Sequence, residues 1–187
     1  MIEDYNKELA GEVAKDVVSW GQRSCASPQV LYIKRGLDTK KIMKDLGKAM
    51  DRHPDQEMQA DQAVEILKAR EIARMGKVFG DYDYFFSPEP NRWQIILTKK
   101  FELSPLGRTL YVREYENIDE IINEIPRAYM QTIAISSGRR REIGKMFVLA
   151  GASRIVRFGK MTSATLGAPH DGDYPLGELV RFCGMEE

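Results

Sequence analysis

Two cysteines, two histidines and a triplet of arginines are the residues of this sequence best equipped for chemistry. Cys25 stands in GQRSCASPQVLYI, residues 21–33. A thiol attacks carbonyls only as thiolate, so a reactive cysteine needs exposure together with a cation, a helix N-terminus or oriented amides. Arg23 is close in sequence, and the small Ser24, Ala26 and Ser27 leave room for a substrate. Free cysteine is also among the most buried residue types, so an inert packed thiol is the alternative reading. Cys183, in RFCGMEE, has fewer helpful neighbours. His170 lies with Asp171 and Gly172 in APHDGDYPLGELV. An imidazole beside a carboxylate can carry a proton; the same residues can also form a plain turn ahead of a helix opened by Pro175. In GRRREIG, Arg139, Arg140 and Arg141 fall in the first turn of a predicted helix, where positive charge is disfavoured. Glu142, a partner carboxylate or a substrate phosphate would compensate there, or the arginines form a solvated basic face.

Composition narrows the classes of function. The 187 residues are 43% hydrophobic and 30% charged, enough for one domain with a core. Twenty-eight basic and 28 acidic side chains cancel, so no overall field draws the chain to nucleic acid or anionic lipid. No apolar run approaches the ~20 residues of a membrane span, and the start MIEDYNKELAGE lacks a secretory layout; a cytoplasmic protein is expected. Two distant cysteines give no disulfide framework, and with only His53 and His170 a metal site is not expected. GxGxxG after a strand, GxxxxGK[ST] and G-x-S-x-G are absent, so the chain carries no recognisable dinucleotide or phosphate loop.

The elements that must position these residues are legible as periodicities. Ala10, Val13, Ala14, Val17 and Trp20 mark a helix with one apolar stripe, stopped near Gly21. Pro28 leads into a strand over 29–34. Thr39 is positioned to cap a second helix through Ile42, Met43 and Leu46, and Pro54 opens a third that uses Met58, Val64, Leu67 and Ile72. YDYFF and RWQIILTK read as paired strands around SPEPN, and TLYVREY is a further strand. Asn117 begins a short helix ended by Pro126, MQTIAIS is a strand, Ser136 or Ser137 starts a helix to Gly151, and SRIVRF is the last strand. The alternation from 109 to 158 is that of a parallel sheet with covering helices.

WGQRSCASPQVLYI around Cys25, SPLGRTLYVREYENIDEI at 104–121, and MQTIAISS through SRIVRFGKMTSATLGAPHDGDYPLGELVRF at 130–182 resemble the C-terminal half of the acyl-CoA reductases. These are the fatty-acyl reductases of bacterial bioluminescence, a branch of the aldehyde dehydrogenase superfamily. The resemblance implies a single thiol-bearing catalytic domain over 1–187: a three-layer α/β fold with a mostly parallel sheet, and Cys25 in a loop at the sheet edge facing an open cleft. It implies Cys25 as nucleophile toward an acyl-CoA or other acyl thioester, and an acyl-enzyme reduced to aldehyde by NADPH or NADH. The backbone N–H of Cys25 would be one oxyanion donor. Glu102, in FELSP, falls near the family's glutamate that holds the nicotinamide ribose, and His170 is a further catalytic candidate near the cleft. In relatives the cofactor domain precedes the cysteine, with an asparagine oxyanion donor and a glutamate base, whereas here Met1 stands 24 residues before Cys25. The cofactor is therefore expected to bind mainly outside this chain, on a further domain or a partner subunit, and homo-oligomerisation is expected as well. A non-catalytic scaffold, or a nicotinamide-independent acyl transferase or hydrolase, are the alternatives.

Overall fold

The computed structural model describes residues 1–55, 57–89, 92–163, 165–175, 177–181 and 183–185. Pro90 and Asn91 of the expected SPEPN turn lie outside the described residues. The first helix, α1 (Lys7–Val18), is capped by Asn6, whose side chain accepts the Leu9 N–H at 2.9 Å. The strands are β1 (Val30–Lys34), β2 (Tyr82–Phe86), β3 (Gln94–Thr98), β4 (Thr109–Tyr115), β5 (Thr132–Ala134) and β6 (Arg154–Val156). Four of them form a sheet in the order β1-β4-β3-β2, with β1, β4 and β3 parallel and β2 antiparallel to β3. The parallel pair β5-β6 is joined to that sheet by the extended N-terminal residues: Ile2 bridges Ile33 on one side and Ser136 on the other. The Ile2 N–H donates to Tyr32 O at 2.7 Å, and the Ser136 N–H donates to Met1 O at 3.0 Å.

Strand alternation assigns the faces. Leu31, Ile33, Ile95, Leu110 and Val112 point toward α1 and α2 (Thr39–Met50). On the opposite face Ile96 and Tyr111 meet α3 (Ala60–Val78), and Tyr32 and Tyr115 meet α4 (Ile118–Glu124) and α5 (Arg140–Ala150). Two helices, a mostly parallel sheet and three helices make the expected three-layer α/β sandwich.

Several local expectations are corrected. Trp20 leaves the α1 stripe and is 76% exposed, because the helix ends at Val18 and the chain turns left-handed. Asp16, on the side of α1 that reads as polar, is fully buried and accepts the Gly159 and Met161 N–H groups at 2.6 and 3.0 Å. Burial pushes its carboxyl up and the two amides oppose that shift. Asp38, not Thr39, caps α2 by accepting the Lys41 N–H at 2.9 Å; Thr39 instead donates to Glu114 on β4 at 2.6 Å. The third helix begins at Ala60 rather than Pro54, and it buries Ile66, Ala69 and Ala73, while Val64, Leu67 and Ile72 face solvent. β1 is flanked on both sides, by β4 and by Ile2, so the cysteine loop opens at the end of an interior strand rather than at a sheet edge.

Candidate functional site around Cys25

Cys25 lies in the loop between α1 and β1 and is exposed. The loop is a tight turn: the Ser27 N–H donates to Ser24 O at 2.9 Å and the Ala26 N–H to Ser24 Oγ at 3.3 Å. Among the described residues the Cys25 N–H has no hydrogen-bond acceptor.

The loop is held from beneath by Gln22, which is fully buried. Its Nε2 donates to Pro28 O and to Thr109 O, both at 2.8 Å, and its Oε1 accepts the Thr109 N–H at 2.9 Å. All hydrogen-bonding atoms of the amide are thereby engaged, tying both ends of the cysteine turn to the first residue of β4. Ser104 strengthens the same junction, donating to Thr109 O at 2.6 Å. Two runs of left-handed backbone converge here, Trp20, Gly21 and Gln22 on one side and Leu106, Gly107 and Arg108 on the other, each with φ between 55° and 65°. Left-handed conformation costs a non-glycine residue about 1–2 kcal/mol, so the Gln22 bonds sustain geometry that the chain would not adopt locally. A Cβ at Gly107 would stand 2.5 Å from Ile66 Cδ1, so a larger residue there would have to push the end of that side chain aside while holding a left-handed φ.

Cys25 lines a cavity of about 580 Å³. Its walls come from the N-terminal ends of parallel strands: residues 25–29 before β1, Phe101 and Leu103 before β4, residues 127–131 before β5, and Gly151 and Ser153 before β6. Glu124, at the end of α4, fixes one wall. It accepts the Phe101 N–H at 3.0 Å, the Tyr32 hydroxyl at 3.0 Å and Arg113 Nη2 at 2.6 Å. Burial, and then the Glu124 charge beside it, push the Tyr32 phenol far above its ordinary value, so it stays a neutral donor. The size is that of a small-molecule site, and the lining mixes hydrocarbon with a few polar groups. One of those polar groups is Ser27, buried, with no partner for its hydroxyl among the described residues.

The other sequence candidates are not brought to Cys25. The Glu102 carboxylate is taken up by the Tyr82 hydroxyl and by Thr98 Oγ1, and Glu102 does not line the cavity. His170 is exposed and outside the cavity, its Nδ1 lying 3.2 Å from Asp171 and its backbone paired with Asp173. Asp171 does reach the cavity and accepts a hydrogen bond from Gln131 Nε2. Cys183 is exposed but away from the cavity. Of the arginine triplet, Arg139 forks onto Glu142 with two contacts of 3.2 Å, one of the compensations the sequence left open beside a solvated basic face. Among the described residues no group of three or more metal-ligating side chains occurs, and no helix is long and apolar enough to cross a membrane. Glu124, Ser27 and the role of Gln22 escaped sequence reading. Ser27 was legible only as a small residue beside Cys25, because buried hydrogen bonding leaves no periodic signal.

The fold is shared with aldehyde dehydrogenases. Aldehyde dehydrogenase 21 from Physcomitrella patens superposes with a TM-score of 0.64 over 91% of this chain and 40% of its own, at 12% identity. The bifunctional proline utilization A protein does so with a TM-score of 0.65 over 85% of this chain and 18% of its own, at 19% identity. In sequence, the long-chain acyl-protein thioester reductase of Vibrio harveyi is 27% identical and reductase 2 of Photobacterium leiognathi 31% identical, each alignment covering 96% of this chain and 38% of the relative. The chain thus spans well under half the length of these relatives. The model of the acyl-CoA reductase (LuxC) family matches residues 2–182, nearly the whole chain, and the chain belongs to that family.

Proposed function

We propose that this chain is the acyl-accepting catalytic domain of a thioester reductase, with Cys25 as the nucleophile. The observation that carries the reading is the exposed Cys25 thiol on a turn pinned by Gln22 and opening into a cavity of about 580 Å³. The Cys25 thiolate adds to the carbonyl of an acyl thioester, and the tetrahedral oxyanion collapses to expel the carrier thiolate, leaving a Cys25 thioester. The unpaired Cys25 N–H is the proposed donor to the oxyanion, with the Ser27 hydroxyl as a second group within the same turn. Leu103, Ile125 and Met130 offer hydrocarbon contact to an acyl chain. The similar long-chain acyl-protein thioester reductases favour a long chain and a protein-borne thioester as substrate, and the acyl-CoA reductase family favours a CoA thioester.

The described residues do not build a dinucleotide cradle. Glu102, offered by the resemblance as the ribose ligand, is held by Tyr82 and Thr98 instead. We therefore assign the nicotinamide, NADPH or NADH, mainly to residues outside this chain, from which the hydride that releases the aldehyde is delivered. His170 is left as a surface residue of the same end of the molecule, with no part in acylation.

Incubating the chain with a long-chain acyl-CoA, and in parallel with chloroacetamide, followed by peptide mass spectrometry, tests the assignment. Label on Cys25 ahead of Cys183 is expected, and equal labelling or none overturns it. Calorimetry with NADPH and NADH is expected to give no tight binding, and a tight complex with either would refute the placement of the cofactor. Acyl-CoA hydrolysis sustained without nicotinamide would support the transferase or hydrolase alternative.

A further inference from the structure

The Cys25 cavity is graded from its mouth inward. Leu103 and Tyr129 at the mouth are exposed, whereas Val13, Leu110, Phe158 and Met161 are buried and belong to the hydrocarbon cluster shared by the sheet, α1 and α2. An acyl chain bonded to the exposed Cys25 sulfur would extend from the mouth toward that inner end. The residues that close the inner end then decide how many methylenes fit.

Phe158 and Met161 come from the turn that follows β6, residues 157–163, rather than from a helix or strand. A side chain that faces a cavity lacks packing atoms on one side, so contact alone does not fix such a wall. Two charged side chains hold the backbone of this turn instead. Asp16 Oδ2 accepts the Gly159 N–H at 2.6 Å, and Asp16 Oδ1 accepts the Met161 N–H at 3.0 Å. Arg154 takes the carbonyls, its Nη1 donating to Met161 O at 2.5 Å and its Nη2 to Lys160 O at 2.9 Å. The grip of Asp16 therefore falls on Met161 itself and on the neighbour of Phe158. Asp16 is fully buried, and a buried carboxylate is kept only where specific donors offset its desolvation. It stands one turn beyond Val13 on α1, so this helix supplies one part of the inner wall and fixes another.

We propose that Asp16 is a positioning residue that sets the acyl-chain length accepted at Cys25, by holding Phe158 and Met161 as the inner wall of the cavity. The inference rests on Cys25 as the acyl acceptor and adds which residues limit the chain. Asp16 touches no substrate in this arrangement; it acts through the two side chains whose backbone it fixes.

Rates of Cys25 acylation by saturated acyl-CoAs from octanoyl to octadecanoyl, read by intact mass, test it. Circular dichroism verifies folding of each variant, and chloroacetamide labelling of Cys25 is the reference that does not probe the inner end. The unsubstituted chain is expected to show a length limit, the first even-numbered homologue beyond it reacting at least ~10-fold more slowly, as methylenes forced against a packed wall do. Phe158→Ala removes part of the wall and should move the limit to a longer homologue. Asp16→Asn turns an NH2 group toward one of the two N–H donors, so the turn is released and the ratio across the limit should fall to about 2-fold. Asp16→Glu keeps both acceptors on a longer arm, so the limit should stay sharp and move. In every folded variant chloroacetamide labelling should stay within about 2-fold of the unsubstituted chain, because these residues lie away from the thiol. A limit at the same homologue in the unsubstituted chain, Asp16→Asn and Phe158→Ala overturns the inference while leaving Cys25 as acceptor. Loss of chloroacetamide labelling in step with acylation overturns it too, since the Cys25 turn itself would then be disturbed. A chain that chloroacetamide labels but no acyl-CoA acylates removes the Cys25 reading and this inference together.

Discussion

Each of the two free thiols is exposed, yet the segments that carry them are built differently. The Cys25 turn rests on a buried glutamine with three hydrogen bonds at 2.8–2.9 Å and opens into a walled cavity. The tail from His170 to Cys183 is exposed at nearly every described residue, joined to the body chiefly through Asp171 and Gln131. Exposure alone therefore does not qualify a thiol for catalysis. A nucleophile must be held against its substrate, and holding requires buried polar groups that the fold can satisfy only in one arrangement.

The largest expected effect is on Cys25 itself. Cys25→Ala should reduce acyl incorporation to the background given by Cys183, with stability unchanged within about 0.5 kcal/mol, since the side chain is exposed. Cys183→Ala should leave incorporation at full stoichiometry. Intact-mass measurement of the acylated chain reads both outcomes, and a reversal of the two would erase the contrast between the segments.

Next comes the clamp. Gln22→Ala removes three buried hydrogen bonds and leaves the Pro28 carbonyl without a partner, while Thr109 keeps Leu106 O and Ser104 Oγ; the loss should cost about 3 kcal/mol in urea unfolding and slow Cys25 labelling. Gln22→Gly relieves the left-handed backbone but still lacks the bonds, so it should recover only about 1 kcal/mol of that loss. Equal stability of Gly and wild type would show that the hydrogen bonds are unimportant. Gly107→Ala, which strains φ and presses on Ile66, should cost about 1–3 kcal/mol from the β4 side of the same junction.

Smaller effects belong to the tail and to surface charge. His170→Ala should alter stability by less than about 0.5 kcal/mol and leave the labelling rate of Cys25 unchanged, because the imidazole is exposed and outside the cavity. A tenfold fall in labelling would bring His170 into the site. For pH, Asp83 on β2 is informative. Its partial burial pushes its carboxyl up, but the Lys77 hydrogen bond, the Tyr84 N–H and the charges of Lys77 and Lys40 outweigh that and hold it below the ordinary carboxylate value. A depressed folded-state value means stability is fully present above the ordinary carboxylate range and is lost as pH falls through it. Acid titration of Asp83→Asn should therefore show a shallower loss of stability below that range than the wild type, and parallel curves would discount these ion pairs.

Much of the scaffold was written in local pattern. The strands at 30–34 and 109–115, the Asn117 cap and the Gly151 stop all follow from residue type and spacing, since β-branched alternation, Asx capping and left-handed glycine are nearest-neighbour effects. α3 was legible as a helix but not as to which side it buries, because both sides are apolar and periodicity cannot rank them. Asp16, Glu124 and Gln22 were invisible as anchors for a related reason. Each has a partner far along the chain, 87 residues for Thr109 from Gln22 and 143 for Gly159 from Asp16, or on a separate loop, as Phe101 is from Glu124.

By itself, then, the sequence determined that a cysteine would sit in a short loop between a helix and a parallel strand, and that the chain would alternate helix and strand into an α/β sandwich. Only the tertiary structure decided that this loop is pinned to β4, that it opens onto a cavity at the strand N-termini, and that Glu102 and His170 are left out of it. The division is physical: short-range sterics and capping act within a few residues, whereas a site is made by side chains that find one another only after the sheet has closed the distance between them.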